Sequence, residues 1–444
     1  MTALSIATRR PAKLMASRSG EPQPQASAPP PRTVRIALAG CGVVGSALLR
    51  LLHSSAAEIG ARHGVRVEVA RVLVRDLKLA RDVPLPSAIF TDDPESFAGE
   101  NVDVVIEAIG GTDVALAIAR QALASGRRFV TANKELIAYS GGDLAALAGS
   151  FGGTLDFGAA VGGSAPVIST LRGLHGAPAP ASLRGILNGT SNYVLSLLER
   201  GASFDAALAA ACRRGLAEAD CSRDLDGSDS AAKVAIIGWV CFGIDPAALR
   251  VRRVGLLPDP ARFVRNASAV GGRVRLIAEC TQLGKNEVTA SIEPVIVPLE
   301  SAFARTEFED NRLEIDRGWT TPLSVSGPGA GGEPTATALL SDLLSSTPSP
   351  WARGTVASSF IAVDDRRAHR WLIAARLSAA DLTRAVEAAG IPAIASGTDR
   401  DESRVTTAPA PWSSLQGILG ELKRRGADPL VSRLELTPPS LSVA

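Results

Sequence analysis

The sequence predicts an α/β protein of several units, and three observations carry that expectation. From residue 34 to about 155, short apolar runs alternate with stretches of helical periodicity, the pattern of a parallel sheet covered on both faces. A glycine-rich turn, Gly40-Cys41-Gly42-Val43-Val44-Gly45, joins the first run to the first helix. The chain has 444 residues, and at about 150 residues per domain roughly three domains are expected.

Residues 1–33 read as a disordered tail, rich in Pro, Ser, Ala and Arg and ending QPQASAPPPR. They contain no apolar stretch of the secretory kind; Arg9, Arg10, Lys13 and Arg18 before the first acid would resemble a transit peptide in a eukaryote. VRIALAG, VRVEVARVLV (65–74), VDVVIEAIG (102–110) and RRFVTAN (127–133) are strands of a unit spanning 34–155. SALLRLLHSSAAEIG, ALAIARQALASG (115–126, closed by Gly126) and LAALAGSFG are its helices. Between 156 and 325 strands and helices are segregated, as in an α+β unit. ASLRGILNG (181–189), VRLIAECTQ (274–282) and EVTASIEPVIVP (287–298) are strands there. GTSNYVLSLLERG, FDAALAAACRRG (204–215) and SDSAAKVAIIGWVCFG (228–243) are helices. GPGAGG (327–332) opens a further helix in the segment 326–353, and the last stretch, 360–444, has the order β-α-β-β-α-β of a ferredoxin-like unit.

Composition excludes several classes. With 46% hydrophobic and 21% charged residues the chain is an ordinary globular one. A net charge of +2 lacks the basic excess of a nucleic-acid binder, so no nucleic-acid partner is expected. Five cysteines without CxxC and four histidines without HxxxH argue against a disulfide scaffold and a zinc site. Apolar runs end well short of the ~20 residues of a spanning helix, so no membrane partner is expected.

Four clusters carry chemistry. In the glycine turn, Gly40 permits the tight bend, Gly42 lets the backbone approach a pyrophosphate, and Gly45 allows helix and strand to pack closely. The helix N-terminus then faces the anion. At the end of the second strand, Arg75 and Lys78 suit a ribose 2′-phosphate and favour NADP, while Asp76 leaves NAD open. Lys134 follows a strand's carboxyl end, where open α/β sheets bind ligands. Finally, Glu218, Asp220, Asp224, Asp226 and Asp229 crowd into twelve residues ahead of Lys233. Such carboxylates repel unless a cation or cationic substrate sits among them. Asp229 and Lys233 are i,i+4 on a helix and share a face.

In register over roughly residues 34–345, these pieces resemble homoserine dehydrogenase: GCGVVG, VTANKELIA, ILNGTSNYVL (186–195), GLAEADCSRDLDGSDSAAK (215–233) and GPGAGGEPTATALLSDLL (327–344). The resemblance implies NAD(P)-dependent interconversion of L-homoserine and L-aspartate 4-semialdehyde, on the route to threonine and methionine. It implies Lys134, Lys233 and Asp229 as catalytic groups, and Glu218, Asp224, Asn188, Gly189 and Thr190 as substrate-binding. Gly40, Gly42, Val43, Val44, Gly45, Arg75, Lys78, Gly110 and Gly331 would hold the cofactor. Segment 326–353 would return to the nucleotide unit. Residues 156–325 would bind substrate and form a homodimer or homotetramer, in the cytoplasm. The family's bacterial members often end in an ACT domain, which 360–444 would match, although the usual Pro-Gly turn is replaced by Leu377-Ser378-Ala379-Ala380. The family also often binds a monovalent cation through a glutamate. Here that position is Gly158, which leaves only the backbone carbonyls of Val161, Gly163 and Ala165 as donors, and no metal is expected. Burial and a neighbouring cation would lower the lysines toward neutrality. Two other readings remain: another NAD(P)-dependent reductase of an amino-acid aldehyde, or a catalytically silent regulatory paralogue.

Overall fold

The computed structural model describes residues 31–174, 178–217, 220–345 and 359–436. The nucleotide unit runs through β1 (Arg32–Ala39), α1 (Val43–Ser54), α2 (Ala56–His63), β2 (Val65–Leu73), β3 (Phe90–Thr91), β4 (Val104–Glu107), α3 (Asp113–Ala124), β5 (Arg128–Thr131), α4 (Lys134–Phe151) and β6 (Thr154–Asp156). Its six strands lie in the order β3-β2-β1-β4-β5-β6, and every pairing is parallel. The order reverses between β1 and β4, which opens a crevice at their carboxyl ends. Side chains alternate across β1. Ala37 and Ala39 join the core beneath α3 and α4, while Ile36 and Leu38 join Leu48, Leu49 and Leu52 of α1 on the other face. The tail expected over 1–33 gives way two residues early, because Arg32 already pairs with Val65; residues 1–30 lie outside the described part.

The middle unit continues with α5 (Val167–Gly173), β7 (Ser182–Ile186), α6 (Gly189–Glu199), α7 (Phe204–Arg213), α8 (Ser222–Leu225), α9 (Ser228–Phe242), β8 (Val251–Arg253), α10 (Pro260–Ala269), β9 (Gly272–Gln282), β10 (Glu287–Pro298), β11 (Asp310–Asp316) and β12 (Leu323–Pro328). The chain then returns through α11 (Gly332–Leu344), whose Ala336, Leu339 and Leu343 close the core against α1. Two expected boundaries move. Residue 156 is the last of β6 and so belongs to the nucleotide sheet, and 326–328 belong to β12, which pairs with β11. The returning part is therefore α11 itself.

The C-terminal unit comprises β13 (Ile361–Ala362), β14 (Arg370–Ala375), α12 (Ala379–Ala388), β15 (Ala393–Asp399), β16 (Glu402–Thr407), α13 (Trp412–Arg424) and β17 (Leu430–Leu434). The strand order β17-β14-β16-β15 is ferredoxin-like, as expected. Ser378 caps α12, accepting from the Asp381 N–H, which accounts for a turn without Pro-Gly. Two features differ from expectation. β13 pairs with β10 outside the ferredoxin-like set, so that set starts at Arg370. Its sheet is also not separate: β17 pairs in parallel with β10, Val295 opposite Arg433, giving one continuous eleven-stranded sheet.

That seam is ionic. The Arg433 guanidinium donates to Glu279 at 2.7 Å and to Glu293 at 3.0 Å, all three side chains being almost wholly buried. Burial alone would push Glu279 up, but Arg433, then Arg367 and Arg184, hold it well below the usual carboxylate range. Removing Arg433 takes away the largest compensating charge and leaves Glu279 to Arg367 and Arg184 and Glu293 to Arg252. Arg433→Met should therefore lower unfolding stability at pH 7 by about 3 kcal/mol in urea melts. Because the folded Glu279 is depressed, the native chain's advantage is fully present above the unfolded carboxylate value and is lost progressively as pH falls from there through the lower folded value. The two melting curves should converge in acid.

Candidate active site

The carboxyl ends of β1, β4 and β5 face α6, α8 and α9 across a cleft of about 370 Å³. On the nucleotide side the three glycines act differently. Gly40 has φ +101°, and a Cβ there would lie 2.6 Å from the Ala108 carbonyl oxygen. A Cβ at Gly45 would lie 2.0 Å from the Gly40 oxygen, so helix and turn touch there. At Gly42 a Cβ would meet nothing within 4 Å, which leaves the backbone open toward the crevice. Val43 begins α1 and is exposed, and Val44 lines the cleft. Gly110 follows β4 with φ +71°; Gly331, at φ +122°, starts α11, and a Cβ on the next residue, Gly332, would lie 2.8 Å from Val43 Cγ1. This is a cradle that fits a dinucleotide pyrophosphate. Arg75 and Lys78 lie exposed just beyond β2. Asp76 is turned into its own loop, its carboxylate accepting from the Lys78 N–H at 2.8 Å.

On the substrate side the decisive group is Asp229. It sits in the first turn of α9, after Gly227 at φ +84°, where the helix N-terminus favours an anion. Lys233, one turn on, donates to its Oδ2 at 2.7 Å and also to the Leu187 carbonyl at 2.7 Å. Lys134 approaches the other oxygen at 3.2 Å from the first residue of α4. The helices α4 and α9 bring these groups together because α4 has Gly141 where they meet; a Cβ there would lie 2.9 Å from the Trp239 ring. Asn188 caps α6, accepting from Ser191 N–H, and gives both amide hydrogens away, to Asp224 at 2.7 Å and Asp229 at 2.9 Å.

Burial would raise Asp229, but Lys233 and then Lys134 hold it far below the usual carboxylate range. Asp224 is raised, by burial first, against the Asn188 hydrogen bond. The expectation that the lysines fall toward neutrality fails for Lys134. Burial pulls it down, yet Asp229 and Glu135 outweigh burial and hold it above its ordinary value. The sequence suggested a second cation but not a carboxylate set between the two.

Other expected site residues fare differently. Asn188 has no amide hydrogen left for substrate, so it positions two acids. Thr190 lines the cleft but donates its hydroxyl to the Leu216 carbonyl at 2.7 Å. Gly189 also lines it, at a point where a Cβ would press 2.6 Å from the Glu309 carbonyl. Glu218 lies outside the described residues. Glu107, not singled out from sequence, is wholly buried at the cleft wall; its signal was an acid ending an otherwise apolar strand.

The cation loop also differs. Asp342 of α11 puts its carboxylate 2.5 Å from where a Gly158 Cβ would stand, so no glutamate fits there and a charge comes from another element. Burial pushes Asp342 up to about 6, against the pull of Arg172, and its Oδ2 already accepts from Ala159 N–H. The same carboxylate stands 3.7 Å from the Arg172 guanidinium. Among the described residues no group of three His, Cys, Asp or Glu is placed to hold a metal.

Two sequence profiles match successive stretches of the chain. A sequence profile described as homoserine dehydrogenase, NAD binding domain, matches residues 40–157, and one described as homoserine dehydrogenase matches 166–344. The homoserine dehydrogenase of Mycobacterium leprae is 37% identical over 320 residues, covering 70% of this chain and 72% of that protein. That of Corynebacterium glutamicum is 33% identical, covering 71% and 72%. The crystal structure of a homoserine dehydrogenase from Thiobacillus denitrificans superposes with a TM-score of 0.78 at 29% identity, over 91% of this chain and 98% of that one.

Proposed function

Since this chain belongs to the homoserine dehydrogenase family, NAD(P)-dependent enzymes that interconvert L-homoserine and L-aspartate 4-semialdehyde, we propose that Lys134, Asp229 and Lys233 form its catalytic centre. The observation that carries this reading is one buried carboxylate bridging two ammonium groups in the cleft beneath the glycine turn.

A bound nicotinamide supplies or takes the hydride. The protein's part is to place charge where the reacting oxygen changes charge. As an aldehyde oxygen becomes an alkoxide, two fixed ammonium groups stabilise it, and one of them hands over the proton. In the reverse direction the same lysine, once neutral, accepts the hydroxyl proton. Asp229 keeps both lysines in place and, with Glu135, holds Lys134 in its charged form until substrate arrives. Asp224, with Glu218, takes the substrate ammonium, and Asn188 fixes Asp224 for that task.

NADP is the preferred cofactor in this reading, because Arg75 is an exposed guanidinium beside the end of β2 while Asp76 is used by its own loop. The assembly is a dimer through the middle unit, working in the cytoplasm. The C-terminal unit is an ACT-like domain that chiefly adds contacts to the middle sheet.

Two measurements test these assignments. Lys134→Ala and Lys233→Ala should each lower kcat by about 10²- to 10³-fold, the usual loss for one group aimed at an oxyanion. Near-parental turnover in both folded variants would remove the centre. Arg75→Ala should raise Kd for NADP by tenfold or more, roughly the worth of one charge-assisted contact, and leave NAD binding nearly unchanged. Equal effects on both nucleotides would show that Arg75 does not read the 2′-phosphate.

A further inference from the structure

The last residue of β4, Glu107, is wholly buried, yet the chemistry above makes no use of it. Three donors converge on its carboxylate. Oε1 accepts from the Ile109 N–H at 2.8 Å and the Gly110 N–H at 3.1 Å, and Oε2 accepts from the Thr131 hydroxyl. Thr131 Oγ1 accepts in turn from the Asn133 N–H at 2.9 Å. Asn133 then does two things. Its Oδ1 accepts from Leu136 N–H at 3.0 Å and so caps α4, and its Nδ2 donates to the Gly111 carbonyl at 2.6 Å. The bonds close a ring through Glu107, the 109–111 loop, Asn133 and Thr131.

Each side of the ring ends in something functional. Gly110 and Gly111, both left-handed at φ +71° and +70°, form a loop whose Cβ positions meet nothing within 4 Å. That loop begins at Ala108, the residue against which Gly40 of the glycine turn is packed. At the other side, the α4 turn capped by Asn133 starts with Lys134.

We propose that Glu107 is a positioning residue that ties the nucleotide-facing loop to the placement of Lys134, so that the cofactor cradle and the catalytic ammonium are set by one hydrogen-bonded ring. This rests on the assignment of Lys134 above. The ring needs an acceptor-only group. A carboxylate satisfies three converging donors, whereas an amide would turn an N–H toward either the backbone N–H pair or the Thr131 hydroxyl, whose own hydrogen would then lose its acceptor. Burial pushes the Glu107 carboxyl above its ordinary range, against the Thr131 and backbone hydrogen bonds that favour the ionised form.

The test uses the full chain with Glu107→Gln and, in case that variant folds poorly, Thr131→Val, each alone and combined with Lys134→Ala. Nucleotide Kd is read by NADPH fluorescence, without turnover, and kcat separately. Each single variant should raise Kd and lower kcat by about 10- to 100-fold, the scale expected when a catalytic group is displaced by about 1 Å. In the Lys134→Ala background the same change should lower kcat by less than about twofold, because its effect passes through the lysine already removed. Fully additive losses in kcat, or unchanged nucleotide affinity with only a lower melting temperature, would overturn the coupling and leave the catalytic assignment standing. Parental turnover in Lys134→Ala alone would overturn that assignment and the coupling with it.

Discussion

One buried carboxylate, Asp229, fixes the cleft. Two lysine ammonium groups repel when brought to a common point in a partly dry site, and the structure brings them there from different units. Lys134 comes from the nucleotide sheet through β5 and α4; Lys233 comes from α9 of the middle unit. The carboxylate between them, held by the α9 N-terminus and by Asn188, turns that repulsion into a three-charge bridge. The alignment of α4 on α9, with Gly141 under Trp239, is what makes the bridge geometrically available.

Much of this was legible in residues. Apolar runs and helical patterning located four of the six strands of the nucleotide sheet, β10 to the residue, and the ferredoxin-like order of the C-terminal unit; the short β3 and β6 were not read. The Asp229–Lys233 spacing placed both on one face because i and i+4 always are neighbours on a helix. The remainder depended on contacts between distant residues. Nothing near Gly158 announces that Asp342 will stand beside it, nor does Arg433 declare that it will pair with Glu279 and Glu293. Lys134 was expected to lose basicity, since nothing local to it shows that Asp229, already beside Lys233 by spacing, will reach it as well. The resemblance implied Asn188 as a substrate ligand, and an amide next to a glycine gives no sign of where its hydrogens go. Helix α10 was missed although Asp259-Pro260 is a local start signal; β11 and β12, polar on one face and short, gave weaker cues.

The shared sheet links the far end of the chain to the cleft. One side of β10 is paired along its length with β9; the other takes β13, β8 and β17 in turn. Just beyond β8, Val254 N–H donates to Ile292 of β10, and Leu256 N–H donates to the Leu225 carbonyl at 2.8 Å, next to Asp224. The C-terminal unit and the proposed ammonium-binding acid are therefore contiguous through backbone hydrogen bonds.

The most direct test of the bridge is the pH dependence of kcat in Asp229→Asn, which keeps the shape and removes the charge. Without that carboxylate, Lys134 loses the main influence holding it above its ordinary value. The account predicts a fall in kcat of about 10²-fold or more, with the alkaline limb of the profile moved to lower pH. A folded Asp229→Asn enzyme with near-parental turnover and an unmoved alkaline limb would contradict it.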